Sequence, residues 1–537
     1  MLKKTTILFY LTLGIIVATI SIFHVIIAYA KSPNGTIYLG TGHYYLDYYY
    51  YLTYIAQGLR GYFLPRQYLA TDDPSIYYHL TPYILLGQLG RVFKLSPIAV
   101  YWISVFILLV MMTVIIFFII RKLLDKKPFF VQLGAFLITS LMVPFYPYDF
   151  WASYSTFIKR FEMVPHHLIA HILLLLILLA SADYLKKIEK RKLKEAIRVS
   201  LSIGFVLGLV LSFYPFQAVL FFASVELSSF FYLLKFIWQR KWKIVFNLLF
   251  FLTVLAGMVF ISAILVRQVY FQTIFFQSTK GVEVGWREII PLKTFLLSFG
   301  PGLVFSLIGL FWVKRLLNSL WVSFFSLAIV SFGLFYSNLD VLLGTHNGRF
   351  LTPVTHLILG SLAALGMYGI ATFLKRLRMA AFLILLIIFI ATSLPQNIRA
   401  FKERLNDKNL ASPISYLPKG IIEGFKFLGK QRRSGNVLMT PSQFLGTVIP
   451  VFVDRKTYVA RHSATPNYIE KNIRTSNFYL GAMSNEQALD FLKKNGLKFV
   501  VLTSIEGYDV KPLYIYPFLK EIYKNRDIVI FELIESA

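Results

Sequence analysis

Asp47, Arg349, Arg160 and a scatter of histidines are the residues of this 537-residue chain whose types and surroundings could do chemistry. Asp47 is a lone carboxylate inside the aromatic run Gly42-His-Tyr-Tyr-Leu-Asp-Tyr-Tyr-Tyr-Tyr-Leu-Thr-Tyr54. A carboxylate among tyrosine hydroxyls can act as a general base on an incoming hydroxyl. Its plainer alternative is an N-cap or ion pair for a helix beginning at Tyr48. Arg349 is the one Lys or Arg of the segment 337–349, and its planar fork suits the oxygens of a phosphate. The alternative there is an arginine whose stem lies along lipid while its head reaches water. Arg160, in Phe157-Ile-Lys-Arg-Phe-Glu162, is a second choice for the same anion, although Lys159 and Arg160 also oppose Glu162 as a local ion pair. His166, His167 and His171 hint at a metal, because His167 and His171 share a helical face, but no glutamate lies between them and Pro165 starts a helix there. Contacts to substrate hydroxyls, or ordinary polar packing at a helix end, suit His166 and His167 better, and the same two readings hold for His79 and His346. Asp72-Asp73 is a second acidic site, set in a turn before Pro74.

The elements that must position these residues are membrane spans. The chain is 57% hydrophobic and 17% aromatic, with a mean hydropathy of +0.64, far from a soluble domain. Runs such as 7–30, 98–120, 168–180, 245–266 and 380–392 approach or reach the roughly 20 apolar residues that cross a bilayer. The first run follows Met1-Leu-Lys-Lys and lacks a small-residue cleavage pattern, so it reads as a retained span. A formal net charge of +29 raises the question of nucleic acid, but the basic residues cluster in short loops between spans. Arg121, Lys122, Lys126 and Lys127, then Lys186 to Lys194, then Lys235 to Lys243, then Lys314 and Arg315, then Lys375 to Arg378 follow every second span, the positive-inside alternation. That frame gives about eleven spans, a cytoplasmic N-terminus and an extracytoplasmic C-terminus in a multi-pass plasma-membrane protein that binds no nucleic acid. With no cysteine there is neither a disulfide framework nor a thiolate metal site.

Four longer aromatic segments lie opposite the basic loops: 31–97, 146–165, 267–293 and 337–349. In the first, residues 48–59 predict a helix stopped by Gly58 and Gly61, with its tyrosines and Leu52, Ile55 and Leu59 at the membrane interface and the ring hydroxyls wet. Residues 83–92 predict a second interfacial helix. From about Gln396 charges intersperse and the pattern turns to α/β, with strands predicted at 436–440, 457–460, 498–503 and 527–533. Ser484 caps a helix that stops at Gly496. The chain thus divides into a membrane domain, 1–395, and a small extracytoplasmic α/β domain, 396–537. Glu226 falls inside a span, which by default makes it a functional suspect, but bonding to Ser224, Ser228 or Ser229 between helices is an equal alternative, and it is not placed in the site.

The arrangement resembles the GT-C superfamily of polytopic glycosyltransferases. Asp47 with Asp-Tyr-Tyr-Tyr-Tyr-Leu-Thr-Tyr-Ile-Ala-Gln-Gly58 is similar to that superfamily's acidic first-loop motif, and the likeness continues through Tyr83-Ile-Leu-Leu-Gly-Gln-Leu89. His346-Asn-Gly-Arg-Phe-Leu-Thr-Pro353 is similar to its Arg-Phe…Pro opening of a late span, and the tail around Asp454 to Tyr468 and Leu492 to Val501 resembles bacterial mannosyltransferase-like and YfhO-like membrane proteins. The resemblance implies transfer of a sugar from a polyprenyl-phosphate donor in the lipid bilayer to a saccharide, lipid or protein acceptor. It implies Asp47 as general base and Arg349 and Arg160 as phosphate ligands, beside Tyr51, His79, His166, His167, His346 and Trp151 as candidate substrate contacts; Trp151, Tyr154 and Trp286 are sugar-stacking candidates, although aromatics at this depth are mostly belt residues. Some members carry an acidic pair at the first-loop position. Asp47 has no acidic neighbour, so a divalent cation (Mg or Mn) is left open, with Asp72 and Asp73 as its ligands. The rival readings are a flippase or transporter of lipid-linked saccharides, which needs a polar route across the bilayer, and a non-catalytic envelope-assembly protein whose tail docks a partner.

Overall fold

A computed structural model describes residues 4–41, 44–270, 273–314, 316–407, 412–505 and 507–534. Gly42 and His43, which open the aromatic run, and Arg315 lie outside the described residues. The protein is a mainly helical multi-pass membrane protein. Seven candidate spans are long and apolar enough to cross a bilayer: Ile7–Ala30, Pro97–Leu123, Pro165–Lys190, Pro215–Trp238, Trp242–Val269, Ser319–Tyr336 and Thr355–Leu405. Several begin where the sequence forces a helix to begin. Pro165 and Pro215 open their helices, where the missing N–H costs nothing. Thr355–Leu405 consists of two helices, Thr355–Ala371 and Arg378–Leu405, meeting at a kink where Lys375 has φ 40°.

Two compact units make up the chain. The first comprises Met1–Ser21, Val105–Gln268 and Lys280–Lys402. Its centre is the Thr355–Ala371 helix, almost wholly buried, packed on the helices Phe129–Leu141 and Gly300–Val313. Lipid offers apolar side chains as good an environment as a neighbouring helix does, so association depends on close backbone approach. Gly309 and Gly366 supply it: a Cβ on Gly309 would sit 2.0 Å from the Leu362 carbonyl oxygen, and one on Gly366 2.1 Å from that of Phe305.

The second unit comprises Ile22–Ser104, Val269–Thr279 and Glu403–Ala537, so the first long loop and the tail share one core. Strand β1 (Thr36–Tyr38) pairs antiparallel with β2 (Tyr416–Pro418), Ile37 facing Leu417. The tail holds a four-stranded mixed sheet in the order β3-β4-β6-β5, with β3 Asn436–Met439, β4 Leu497–Thr503, β5 Leu519–Lys524 and β6 Ile528–Leu533; β3 and β4 run parallel and the other pairs antiparallel. Leu438, Val500 and Phe531 from the strands, with Phe478, Leu492 and Tyr516, form its core, and the buried Tyr479 hydroxyl donates to the Leu438 and Val501 carbonyls. Ser484 makes the expected capping box with Gln487, and Gly496 takes φ 61° just past that helix.

Two expectations fail. Thr457–Ala460 is not a strand of the sheet but a single bridge to Val437, because Thr457 N–H donates to the Tyr68 carbonyl of the first loop. The first-loop tyrosines are not wet. Tyr48, Tyr49, Tyr50 and Tyr54 are buried in the helix Tyr45–Leu59, with the Tyr48 hydroxyl donating to the Leu39 carbonyl and that of Tyr49 to the Ile414 carbonyl. The packing that covers them includes the helix Leu445–Phe452 of the tail, which no interfacial reading supplies.

Candidate functional site

In the second unit, Asp47 occupies the first turn of Tyr45–Leu59, where a negative charge complements the helix dipole. It does not cap the helix, which starts three residues earlier than expected, with Tyr44 at the N-cap in the left-handed region. The opposite end of the helix is fixed by its neighbour Thr81–Val92, since a Cβ on Gly58 would lie 2.2 Å from the Ile84 carbonyl oxygen and one on Gly87 2.2 Å from that of Ile55. Gly58 is therefore a packing residue, and the helix stop falls to Gly61 at φ 99°.

Asp47 Oδ1 lies 2.5 Å from Arg461 Nη2; the carboxylate is 38% exposed and the arginine 15%. The guanidinium also stands 5.3 Å over the Tyr50 ring. Burial alone would lower the pKa of Arg461, but Asp47, Tyr51 and Tyr50 outweigh it and raise that pKa above the ordinary arginine value. Tyr51 stacks face to face on Tyr83 at 4.5 Å. His79 is buried, with Phe276 edge-on at 5.8 Å, and burial pushes its pKa down to about 3. Asp72 is paired with Lys471 at 2.5 Å, and Asp73 accepts from Ser75 N–H and the Tyr77 hydroxyl. Among the described residues no group of three or more His, Cys, Asp or Glu side chains is gathered as a metal site. The first-loop carboxylates do not fit a shared cation: each already faces a partner of its own, and Asp47 faces a cationic one.

The first unit gathers a different set. Arg349 Nη2 donates to Glu283 Oε1 at 2.7 Å, and the Thr345 hydroxyl donates to Glu283 Oε2 at 2.6 Å. Burial by itself would raise the Glu283 pKa, but Arg349, with Thr345, holds it below the usual carboxylate range. Gln217 fixes the backbone beneath the arginine by donating to the Arg349 and Leu351 carbonyls. His346 is 3% exposed, and among the described residues neither ring nitrogen has a hydrogen-bond partner. Its ring centroid lies 5.1 Å from that of Trp151 and 6.2 Å from that of Trp286, both half exposed. Burial, reinforced by Arg349, lowers its pKa to about 4, so the imidazole is neutral at pH 7. Glu288 accepts from the Trp151 and Ala152 amides and holds that loop in place. His167 stacks on Tyr214 at 4.3 Å, with His166 and His171 at 5.9 and 5.8 Å from the same ring. His171 Nδ1 faces the His167 carbonyl at 2.8 Å and its Nε2 the Thr352 hydroxyl at 3.3 Å, so both nitrogens have partners within the protein.

Arg160 stands apart from this group. It is 2% exposed and donates to the Tyr154, Ser140 and Met142 carbonyls, and burial lowers its pKa to about 9. Lys159 pairs with Asp149 at 3.0 Å. The first unit thus brings Arg349, His346 and Trp151 together, with His166 and His167 grouped around Tyr214.

No protein-family model and no curated protein matches the sequence. Among solved structures, the protein is similar to the archaeal oligosaccharyltransferase AglB from Archaeoglobus fulgidus, solved with an inhibitory peptide and a dolichol-phosphate, at TM-score 0.51 and 13% identity, over 93% of this chain and 70% of that one. ArnT from Cupriavidus metallidurans in the apo state aligns at TM-score 0.47 and 8% identity, over 98% and 97% of the two chains. The likeness is one of fold.

Arg461, Glu283, Thr345 and Gln217 are the members that motif reasoning passes over. Arg461 had a signal: it is the lone arginine in Tyr458-Val-Ala-Arg-His-Ser-Ala464, a charge set in an otherwise small and apolar run. Glu283 and Glu288 are the only acids of the segment 267–293. Gln217 carries no signal that a sequence could show.

Proposed function

We propose that the protein is a membrane glycosyltransferase that moves a sugar from a polyprenyl-phosphate donor to an acceptor hydroxyl on the extracytoplasmic face. The observation that carries this reading is the Arg349 cluster, where a guanidinium oriented by Glu283 lies beside a buried neutral histidine and two half-exposed tryptophans. A cation matched to phosphate beside aromatic faces and an imidazole with open hydrogen-bonding capacity is the chemistry that a phosphate-linked sugar requires. The resemblance in fold to GT-C glycosyltransferases points the same way.

In this reading Arg349 binds the donor phosphate and stabilises the charge that builds on it as it leaves. Trp151 and Trp286 stack on the sugar, and His346 hydrogen-bonds its hydroxyls. His166 and His167 are further substrate contacts, and Tyr51 and His79 serve the acceptor. Asp47 accepts the proton of the acceptor hydroxyl as that oxygen bonds to the anomeric carbon. The bond from that carbon to the phosphate oxygen breaks, and its electron pair leaves with the polyprenyl phosphate. One displacement of this kind inverts the anomeric centre. Arg160, committed to three carbonyls, is given a structural role in the loop that carries Trp151.

The topology that goes with this function has eleven crossings. The seven candidate spans give eight helices, because Thr355–Leu405 folds into two, and the shorter apolar helices Phe129–Leu141 and Gly300–Val313 with the 19-residue helix Leu193–Leu211 supply three more. The tail, 396–537, then lies outside the cell.

The test is release of polyprenyl phosphate by the purified protein in proteoliposomes, supplied with polyprenyl-phosphate-linked glucose, mannose and galactose. Asp47→Asn is expected to lower the rate about 10²- to 10⁴-fold. Full activity in Asp47→Asn removes Asp47 as the base. Absence of release from every donor, with transbilayer movement of an intact one, returns the flippase reading.

A further inference from the structure

We infer that Arg461, contributed by the tail, is the positioning residue of Asp47: it aims the carboxylate through Oδ1 and leaves Oδ2 to take the proton of the acceptor hydroxyl. The inference rests on the reading of Asp47 as the base.

The pair has the wrong build for a stabilising device. Exposed ion pairs contribute little to stability. Burying an arginine is costly unless its donors are all satisfied. Here the cation is the buried partner, at 15% exposure, while the carboxylate is 38% exposed. The Nε–H of Arg461 is buried and has no acceptor among the described residues. Stability alone would favour the opposite arrangement, an arginine head in water. What the geometry does achieve is a carboxylate fixed at one oxygen and open at the other, since among the described residues Oδ2 accepts no hydrogen bond.

Arg461 is itself held firmly. Its loop is tied to the first loop through Thr465, whose hydroxyl accepts from the Ala460 N–H and donates to the Leu69 carbonyl at 2.8 Å. Its backbone carbonyl accepts from Ala464 N–H, closing the turn, and the Tyr50 ring supports the guanidinium from below. Tyr50 and Tyr51 face Arg461 from the helix that carries Asp47, and the exposed His462, whose Nδ1 lies 3.2 Å from Gln443 Nε2, completes the polar surroundings. A fixed cation keeps a base within the narrow range of positions from which proton transfer is effective.

The experiment measures sugar transfer by Arg461→Gln, Arg461→Lys, Asp47→Asn and the double variant Asp47→Asn/Arg461→Gln in the full-length protein, with size-exclusion profile and thermal midpoint as checks on folding. Arg461→Gln is expected to lower kcat at least tenfold with the KM for the lipid-linked donor within twofold. Arg461→Lys, which keeps the charge without the fork, falls between it and wild type; if Arg461→Gln does not survive extraction, a wild-type kcat in Arg461→Lys overturns the inference. On the Asp47→Asn background Arg461→Gln costs nothing more, because a positioning residue has nothing left to position. A further loss in the double variant equal to that in Arg461→Gln alone means a purely structural arginine and overturns the inference. So does a wild-type kcat in Arg461→Gln while Asp47→Asn is inactive, which leaves the base assignment intact. Full activity in Asp47→Asn overturns the base assignment first and this inference with it.

Discussion

Gly58→Ala tests how the helix that carries Asp47 is held. The added Cβ meets the Ile84 carbonyl oxygen at 2.2 Å, with Gly87 Cα at 2.9 Å and Gln88 N at 3.0 Å, all backbone atoms that no rotamer change can clear. Ordinary contact begins at 3.4 Å, so the helices Tyr45–Leu59 and Thr81–Val92 must separate by about 1.2 Å at that point, the difference between 3.4 and 2.2. Overpacking of this kind costs about 1–3 kcal/mol. Asp47 lies eleven residues away, roughly 16 Å along the axis. Its end of the helix is fixed by Arg461 and by the Tyr48 hydroxyl on the Leu39 carbonyl. A helix pivoting there tilts by about 4° and moves Asp47 by a few tenths of an ångström, well short of the roughly 1 Å that costs about a hundredfold in rate. The thermal midpoint in detergent should therefore drop while kcat stays within about threefold. Gly333→Ala, where an added Cβ meets nothing within 4 Å, is the control and should not lower the midpoint. A wild-type midpoint in Gly58→Ala refutes the close contact. A hundredfold loss of kcat without a drop in midpoint refutes the pivot.

Arg349→Ala should lower polyprenyl-phosphate release by about 10²- to 10³-fold, the usual loss for one charge-stabilising donor, and Arg349→Lys should recover little because a lysine cannot serve Glu283 and a phosphate with one planar fork. His346 carries a pH signature. Its pKa is about 4 when folded against an ordinary 6.5, so as pH falls from 6.5 toward 4 the unfolded chain takes up a proton that the folded one refuses, and stability falls over that window, by on the order of 3 kcal/mol in full. His346→Asn should flatten the thermal midpoint between pH 7 and pH 4.5; an unchanged slope refutes the assignment. Chelation with EDTA should leave transfer within twofold of its untreated rate, since Asp47, Asp72 and Asp73 each already face a partner; abolition by EDTA with recovery on adding Mg or Mn refutes it.

The features legible in the sequence were those set by local chemistry. Apolar run length marked the spans, prolines marked where helices open, and Ser484 with Gly496 bracketed a tail helix to within a residue. The strands that failed depend on partners far away. β5, Leu-Lys-Glu-Ile-Tyr-Lys524, is an edge strand whose charged face hides the alternation, and 457–460 is diverted by one carbonyl of the first loop. The tyrosine run misled for a related reason. Tyrosine is equally at home at a lipid interface and in a core that accepts its hydroxyl, and the tail, 365 residues later at Ile414, decides between them. For the candidate site, Arg349, His346 and Trp151 could be picked out by residue type and loop, whereas Glu283 and Arg461 stood out only as charges in their runs and took their partners, Arg349 and Asp47, by contact across the chain.

The polar links of the second unit follow one pattern. First-loop Asp47 meets Arg461, Asp72 meets Lys471, and Asp454 takes hydrogen bonds from Tyr62 and Tyr68 with Arg60 at 3.7 Å. Each link joins residues about 400 positions apart, in a chain without a cysteine to clamp them. The loop-closure cost of such contacts is shared by several of them forming together, each helping to hold the next in place. The packing of the first loop therefore depends on the tail, and weakening one link is expected to loosen the others. On the reading of Asp47 as the base, the aim of its carboxylate then depends on the same joint packing of first loop and tail that the other links maintain.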